Sequence, residues 1–205
     1  MDAPADAYKT LARPSKEILF KEKKSKFFGY AFPLEQEADV KPIIEDLRRK
    51  HTGANHFCYA WQLGVEDSAY RANDDGEPNH SAGMPIYGQI QAFGLTNVLI
   101  VVVRVFGGTK LGVGGLISAY KTTAQMTLEA SKIVNRTLKQ HLLASFVYKE
   151  MDLVMRTIKQ RQLHIVSQKM ELDCELVISV RKRDAEKVLH VFEGIYGVAI
   201  KKLPQ

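Results

Sequence analysis

The segment from Leu95 to Gly115 constrains what this chain can fold into more than any other. Leu95 to Val105 is an almost unbroken run of Val, Leu and Ile, which predicts a strand covered on both faces. The glycine-rich stretch FGGTKLGVGG follows at once, and a helix is expected from about Leu116 to Ala130. Buried strand, glycine-rich turn and helix, in that order, offer backbone amides and a helix N-terminus to an anion. Arg104 and Lys110 add positive charge, while Gly107, Gly108, Gly112, Gly114 and Gly115 let the backbone approach a ligand closely. The spacing is not that of a P-loop, because Thr109 precedes Lys110 and the glycines fall elsewhere. Nor is it G-x-G-x-x-G, because Ile117 stands where the third glycine belongs. A tight turn whose glycines merely avoid clashes is the alternative.

Periodicity divides the chain into two domains, 1–136 and 137–205. In the first, Ile18 to Leu34 carries two strand-like stretches. Asp39 is expected to cap a helix that runs to Lys50 with Val40, Ile43, Ile44 and Leu47 on one face. Phe57 to Val65 reads as a strand, SAYRANDDGEPNHSAG as a long polar loop, and Met84 to Phe93 as a short helix. In the second, HLLASFVYK, HIVSQKMEL, CELVISVRKRD and VAIKKL read as strands. EMDLVMRTIKQRQ reads as a helix with Met151, Val154, Met155 and Ile158 on one side, and AEKVLHVFEGIYG as another, closed by Gly197. The order βαββαβ is the split βαβ, or ferredoxin-like, arrangement. The fold class is therefore α+β.

Two further segments could carry chemistry. In Ala54-Asn55-His56-Phe57-Cys58-Tyr59-Ala60-Trp61, His56 and Cys58 point the same way on a strand. Neighbours two apart rarely make a nucleophile and its base, and zinc would want four ligands where only His56, Cys58 and His80 are at hand. A half-buried strand with an exposed His56 is the expectation. In Asn73 to Gly83, Asp74, Asp75 and Glu77 could hold a hard cation or act as acid and base. Asp-Gly and Glu-Pro are equally strong turn signals, and calcium-loop spacing is absent. A structureless stretch this long nevertheless hints at a role for Asp74, Asp75, Glu77 and Ser81. No catalytic residue, metal or cofactor is expected.

Charge adds one bias. The chain of 205 residues has 29 Lys and Arg against 23 Asp and Glu, a formal charge of +6. Of these, 17 basic and 15 acidic side chains precede Thr137, so the second domain holds most of the excess, notably at Arg181, Lys182 and Arg183. Such a balance admits nucleic acid as a partner without requiring it. The N-terminus lacks the basic and apolar regions of a signal peptide, and the longest apolar run is far shorter than the ~20 residues a bilayer needs. Cys58 and Cys174 form no C-x-x-C. A cytoplasmic protein without membrane contact is expected.

Three motifs in order, A-N-H-F-C-Y-A-W, D-D-G-E-P-x-x-S-A-G-x-P and V-V-V-R-V-F-G-G-T-K-L-G-V-G-G-L-I-S-A-Y, resemble the YigZ/IMPACT family over about residues 15–130. The second half is similar to the small ferredoxin-like domain of bacterial YigZ-type members. Val105 stands where the family usually has an aromatic residue, and Asn79-His80-Ser81 where it has Ser-Gly-Thr. The resemblance implies a first domain like that of a small-subunit ribosomal protein, elongation factor G domain IV and GHMP kinases, with a left-handed βαβ crossover. It implies a second domain like elongation factor G domain V. Eukaryotic IMPACT regulates translation.

Together these readings point to a non-enzymatic binder of structured RNA or the ribosome, acting in translation or its regulation. In this reading Arg104 and Lys110 contact phosphates, the five glycines admit the backbone, and His56 lies on an adjacent strand. An enzyme of GHMP-kinase-like fold acting on a phosphorylated small molecule is one alternative. A protein–protein adaptor docking through the Asp74–Ser81 loop is another.

Overall fold

The computed structural model describes residues 6–204. The chain divides into two compact units, one formed by Tyr8–Arg136, the other by the chain from Thr137 onward with Asp6 and Ala7.

The elements of the first unit are β1 (Ala7–Leu11), β2 (Ile18–Glu22), β3 (Ser25–Pro33), α1 (Val40–Lys50), β4 (His56–Leu63), β5 (Ala69–Asn73), α2 (Gly83–Ala92), β6 (Val98–Val105), α3 (Gly112–Glu129) and β7 (Ile133–Thr137). β1 and β7 form a two-stranded sheet, and β2-β3-β6-β4-β5 a five-stranded one whose neighbours are all antiparallel. β6 is its middle strand. Val98, Ile100 and Val102 turn toward α2 and α3, packing with Ile86, Ile90 and Tyr120. Leu99, Val101 and Val103 turn the other way, to Val40 and Leu47 of α1. Period-two alternation between two covered faces is why the strand is apolar throughout. Each of these six side chains is fully buried, which stabilises by roughly 1.5–3 kcal/mol apiece.

Three local expectations change. Ala69–Asn73 is an edge strand rather than part of a loop, paired through Ala60↔Ala72 and Gln62↔Tyr70. Its polar sequence reflects its exposed edge position, and β4 supplies the ladder. α3 begins at Gly112, not Leu116, anchored by buried Leu111. Asp39 ends a short 3-10 turn, and its carboxylate accepts from Gln36 rather than from the α1 backbone.

The second unit contains β8 (Lys139–Val147), α4 (Met151–Gln160), β9 (His164–Lys169), β10 (Asp173–Arg181), α5 (Ala185–Glu193) and β11 (Val198–Lys202). Its sheet order is β11-β8-β10-β9, antiparallel throughout. Leu142, Ala144, Phe146, Leu176 and Ile178 pack against Val154 and Ile158 of α4 and Val188 and Phe192 of α5. Met155, expected on the apolar side of α4, is exposed, being one residue and so about 100° round the helix from Val154. α5 stops at Gly194, and Gly197 instead takes φ +79° in the turn before β11. Among the described residues no helix is long and apolar enough to cross a membrane.

Candidate functional site

Strand alternation decides the fate of Arg104. It follows Val102 by two residues and so faces α3, opposite Phe27 on one side and His56 on the other. Its side chain is only 6% exposed, and Nη1 donates to Glu77 Oε1 at 2.5 Å. The same oxygen accepts the Tyr120 hydroxyl at 2.7 Å, and His56 Nε2 lies 3.9 Å from it. The guanidinium also lies between the rings of Phe27 and Phe106, 5.5 Å from each centroid. Arg104 is therefore not an exposed cation. Burial forces its charge to be matched internally, and Glu77, expected in a solvated loop, is the carboxylate that does so.

The rest of the Asp74–Ser81 loop is fastened just as firmly. Asp74 Oδ1 accepts the amides of Ala82 and Gly83 at 2.9 and 2.8 Å, and Oδ2 accepts that of His80 at 2.9 Å. This carboxylate caps the start of α2. Asp75 accepts the Phe57 amide at 2.6 Å and the Arg48 guanidinium at 3.1 Å through both oxygens. Ser81 Oγ donates to Pro78 O at 2.6 Å. His56 Nδ1 is 2.9 Å from Asp75 O. A carbonyl only accepts, so Nδ1 carries a proton in this contact.

Cys58 is buried, with Sγ 3.0 Å from Asp74 O and 3.3 Å from Tyr120 Oη. Burial pushes its thiol far above the usual range, as it does the Tyr120 hydroxyl, and the neighbouring carboxylates add to the effect on Cys58. A thiol held neutral in this way is no nucleophile. Among the described residues no group of three or more His, Cys, Asp or Glu is placed to hold a metal ion.

The glycine-rich turn divides into packed and open parts. A Cβ on Gly107 would lie 2.1 Å from the backbone carbon and oxygen of Lys24, and its amide donates to Ser25 Oγ at 3.2 Å. Gly107 thus exists to let the β2–β3 turn lie against the loop. Gly108, Lys110, Gly112 and Gly114 are exposed, whereas Gly115 touches Leu111. Phe106 is exposed beside them, its amide held by Asn55 Oδ1 at 2.9 Å. The structure brings Arg104, His56 and Glu77 together and leaves Lys110 with the open glycines.

The close approach at Gly107 brings in residues that no sequence motif singles out. The β2–β3 turn is Lys21-Glu22-Lys23-Lys24-Ser25-Lys26, and all four lysines are exposed. Lys23 and Lys24 take φ +42° and +70°, turning the hairpin back through the left-handed region. The signal was present as four lysines in six residues, but only the fold sets them beside Gly107, some eighty residues away.

Residues 23–128 match the family described as the Impact N-terminal domain, a span that contains all three sequence motifs. An IMPACT family member of Haemophilus influenzae is 31% identical over 180 residues, covering 84% of this chain and 86% of that protein. IMPACT family member YvyE of Bacillus subtilis is 32% identical over 68% of this chain, and YigZ of Escherichia coli 38% over 48%. The chain spans 64% and 49% of the lengths of those two relatives. A crystal structure described as that of a hypothetical protein superposes with TM-score 0.69 at 22% identity over 98% of both chains, a likeness of fold. On the family match and the Haemophilus relative, the chain belongs to the IMPACT family.

Proposed function

We propose that this protein binds structured RNA, on the ribosome or free of it, and acts without catalysis in translation or its regulation in the cytoplasm. The observation that carries the reading is the apposition of Lys24 and Gly107. It joins the lysine turn to the exposed glycine loop and Lys110, which among the described residues has no ion-pair partner. Ammonium groups, open backbone amides at the start of α3 and the exposed ring of Phe106 suit phosphates and an unstacked base. The elongation factor G-like domains that the family resemblance implies would suit the same reading, as would the βαββαβ order of the second unit. Arg104 and Glu77 act here as a brace behind the surface. The non-enzymatic part rests on Cys58, Glu77 and Asp74 being engaged inside the fold.

The test is fluorescence anisotropy of a labelled ribosomal RNA fragment at about 50 and 200 mM salt, with K23E/K24E and K110E variants. Saturable binding should weaken by orders of magnitude over that range, and removing one lysine–phosphate pairing should flatten the salt dependence by about 0.7–0.9 in log–log slope. Binding that is indifferent to salt and to all three lysines would reject this surface.

A further inference from the structure

We propose that the second unit holds a ligand site of its own, for a small molecule carrying a phosphate ester or diphosphate. A cleft of about 630 Å³ lies within this unit, walled by the turn after α4, the end of β10 and the first turn of α5. That volume is typical of small-molecule sites. Lys139, Arg161, Arg181 and Lys187 are among the residues that line it, with the carboxylate of Asp184. Asp184 is already matched by Arg183 Nε at 3.7 Å.

The cations are not equivalent. Arg181 is fixed by the buried carboxylate of Asp6, with Nε and Nη2 at 2.8 and 3.1 Å. Arg161 and Lys187 make no ion pair among the described residues, and they stand at the end of α4 and in α5 respectively. A multiply charged anion in the cleft would give both cations a partner through charge-assisted hydrogen bonds. Ser179 and Gln162 add polar groups that can orient a ligand, and the half-buried Leu163 gives an apolar contact for its organic part, with Val180 and Val188 almost wholly buried in the core. A cleft of this size suits a small phosphate ester better than an extended strand of RNA.

The experiment is an NMR titration of the full ¹⁵N-labelled chain with inorganic pyrophosphate and, separately, with ADP. Both probes should shift Gln160 to His164, Ser179 and Lys187 saturably, ADP also moving Val180 and Val188. R161E/K187E should weaken binding at least tenfold, while K23E/K24E leaves it unchanged, which separates this site from the RNA surface. Arg161 and Lys187 are exposed, so folding should survive, and R161Q/K187Q provides a milder pair if charge reversal disturbs the spectrum. Three results would each overturn the proposal. These are no saturable shift in the cleft at millimolar probe, shifts insensitive to both double variants, or cleft shifts produced by an RNA oligonucleotide but by neither small probe.

Discussion

Glu77 Oε1 lies 2.5 Å from Arg104 Nη1, and both side chains are withdrawn almost wholly from solvent. The pair ties the loop before α2 to the end of the central strand, and Tyr120 ties both to α3. Removing one partner of such a pair leaves a buried charge unmatched, typically at about 3–5 kcal/mol. Glu77→Ala and Arg104→Met should each lower stability to urea by about that much. The double variant should lose clearly less than the two together, because neither charge is then stranded. Additive losses, or single losses below about 1 kcal/mol, would show that the pair carries no such burden. Charge reversal at Arg104 consequently tests folding rather than RNA contact, and Lys23, Lys24 and Lys110 are the positions that report on binding.

The glycines of the turn should separate by substitution. Gly107→Ala drives a methyl into the Lys24 backbone, which a side-chain rotation cannot relieve. Overpacking of this kind costs about 1–3 kcal/mol and should also weaken RNA binding by displacing the lysine turn. Gly114 has open space where its Cβ would stand and already lies in α3. Gly114→Ala should therefore stabilise the protein by up to about 1 kcal/mol through helix propensity. If RNA approaches this backbone, the same substitution lowers affinity while raising stability. A stabilised variant with undiminished affinity would place the RNA elsewhere on the surface.

Asp74 gives a third expectation. Its carboxylate accepts three amides, two of them at the start of α2. Loss of a side-chain cap costs about 0.5–2 kcal/mol, and Asp74→Ala should fall at the upper end because the His80 amide loses its acceptor too. Asp74→Asn keeps an acceptor and should lose less. Equal losses in urea unfolding would mean that charge rather than hydrogen bonding fastens the loop.

What the sequence made legible follows from burial. Val98 to Val103 reads as a strand covered on both faces because an apolar run this short and this rich in β-branched residues fits a buried strand better than a buried helix. The second unit is readable because β8 and β10 alternate buried and open positions and α4 and α5 each bury one side, although β9 and β11 bury little. Arg104 was misread because a cation next to glycines looks like a surface feature. Only the partner, Glu77, reveals otherwise, and nothing in the spacing of 27 residues brings the two together. The edge strand Ala69–Asn73 and the strands Ala7–Leu11 and Ile133–Thr137 escaped for a related reason. They are short, and pairing with a neighbouring strand, distant in sequence for Ala7–Leu11 and Ile133–Thr137, defines them more than their own composition does. Lys23 and Lys24 carried an obvious charge but acquired a role only through the close approach at Gly107.

The last expectation concerns pH. His51 packs against Phe28 with ring centroids 4.7 Å apart and the rings tilted by 42°, and its Nε2 lies 2.6 Å from the Tyr30 hydroxyl. Tyr30 itself donates to Glu17, so Nε2 donates to the tyrosine oxygen. Burial holds the imidazole below its ordinary 6.5, with Lys50 opposing protonation and Glu17 favouring it. Hydrogen bonds from Tyr30 and Lys50 hold the Glu17 carboxyl below its ordinary value as well. Both folded values are depressed, so in each case the unfolded chain binds the proton more readily. Stability rises with pH through such a window and is lost as pH falls. The His51 contribution is complete above about pH 6.5 and decays below it, and the Glu17 contribution decays below about pH 4.5. Unfolding measured between pH 4 and pH 8 should therefore show a decline that begins near pH 6.5. His51→Phe, which keeps a ring against Phe28 and cannot titrate, should flatten the decline between pH 5 and pH 6.5 while leaving the more acidic one. An unchanged profile in that variant would assign the upper transition to another group.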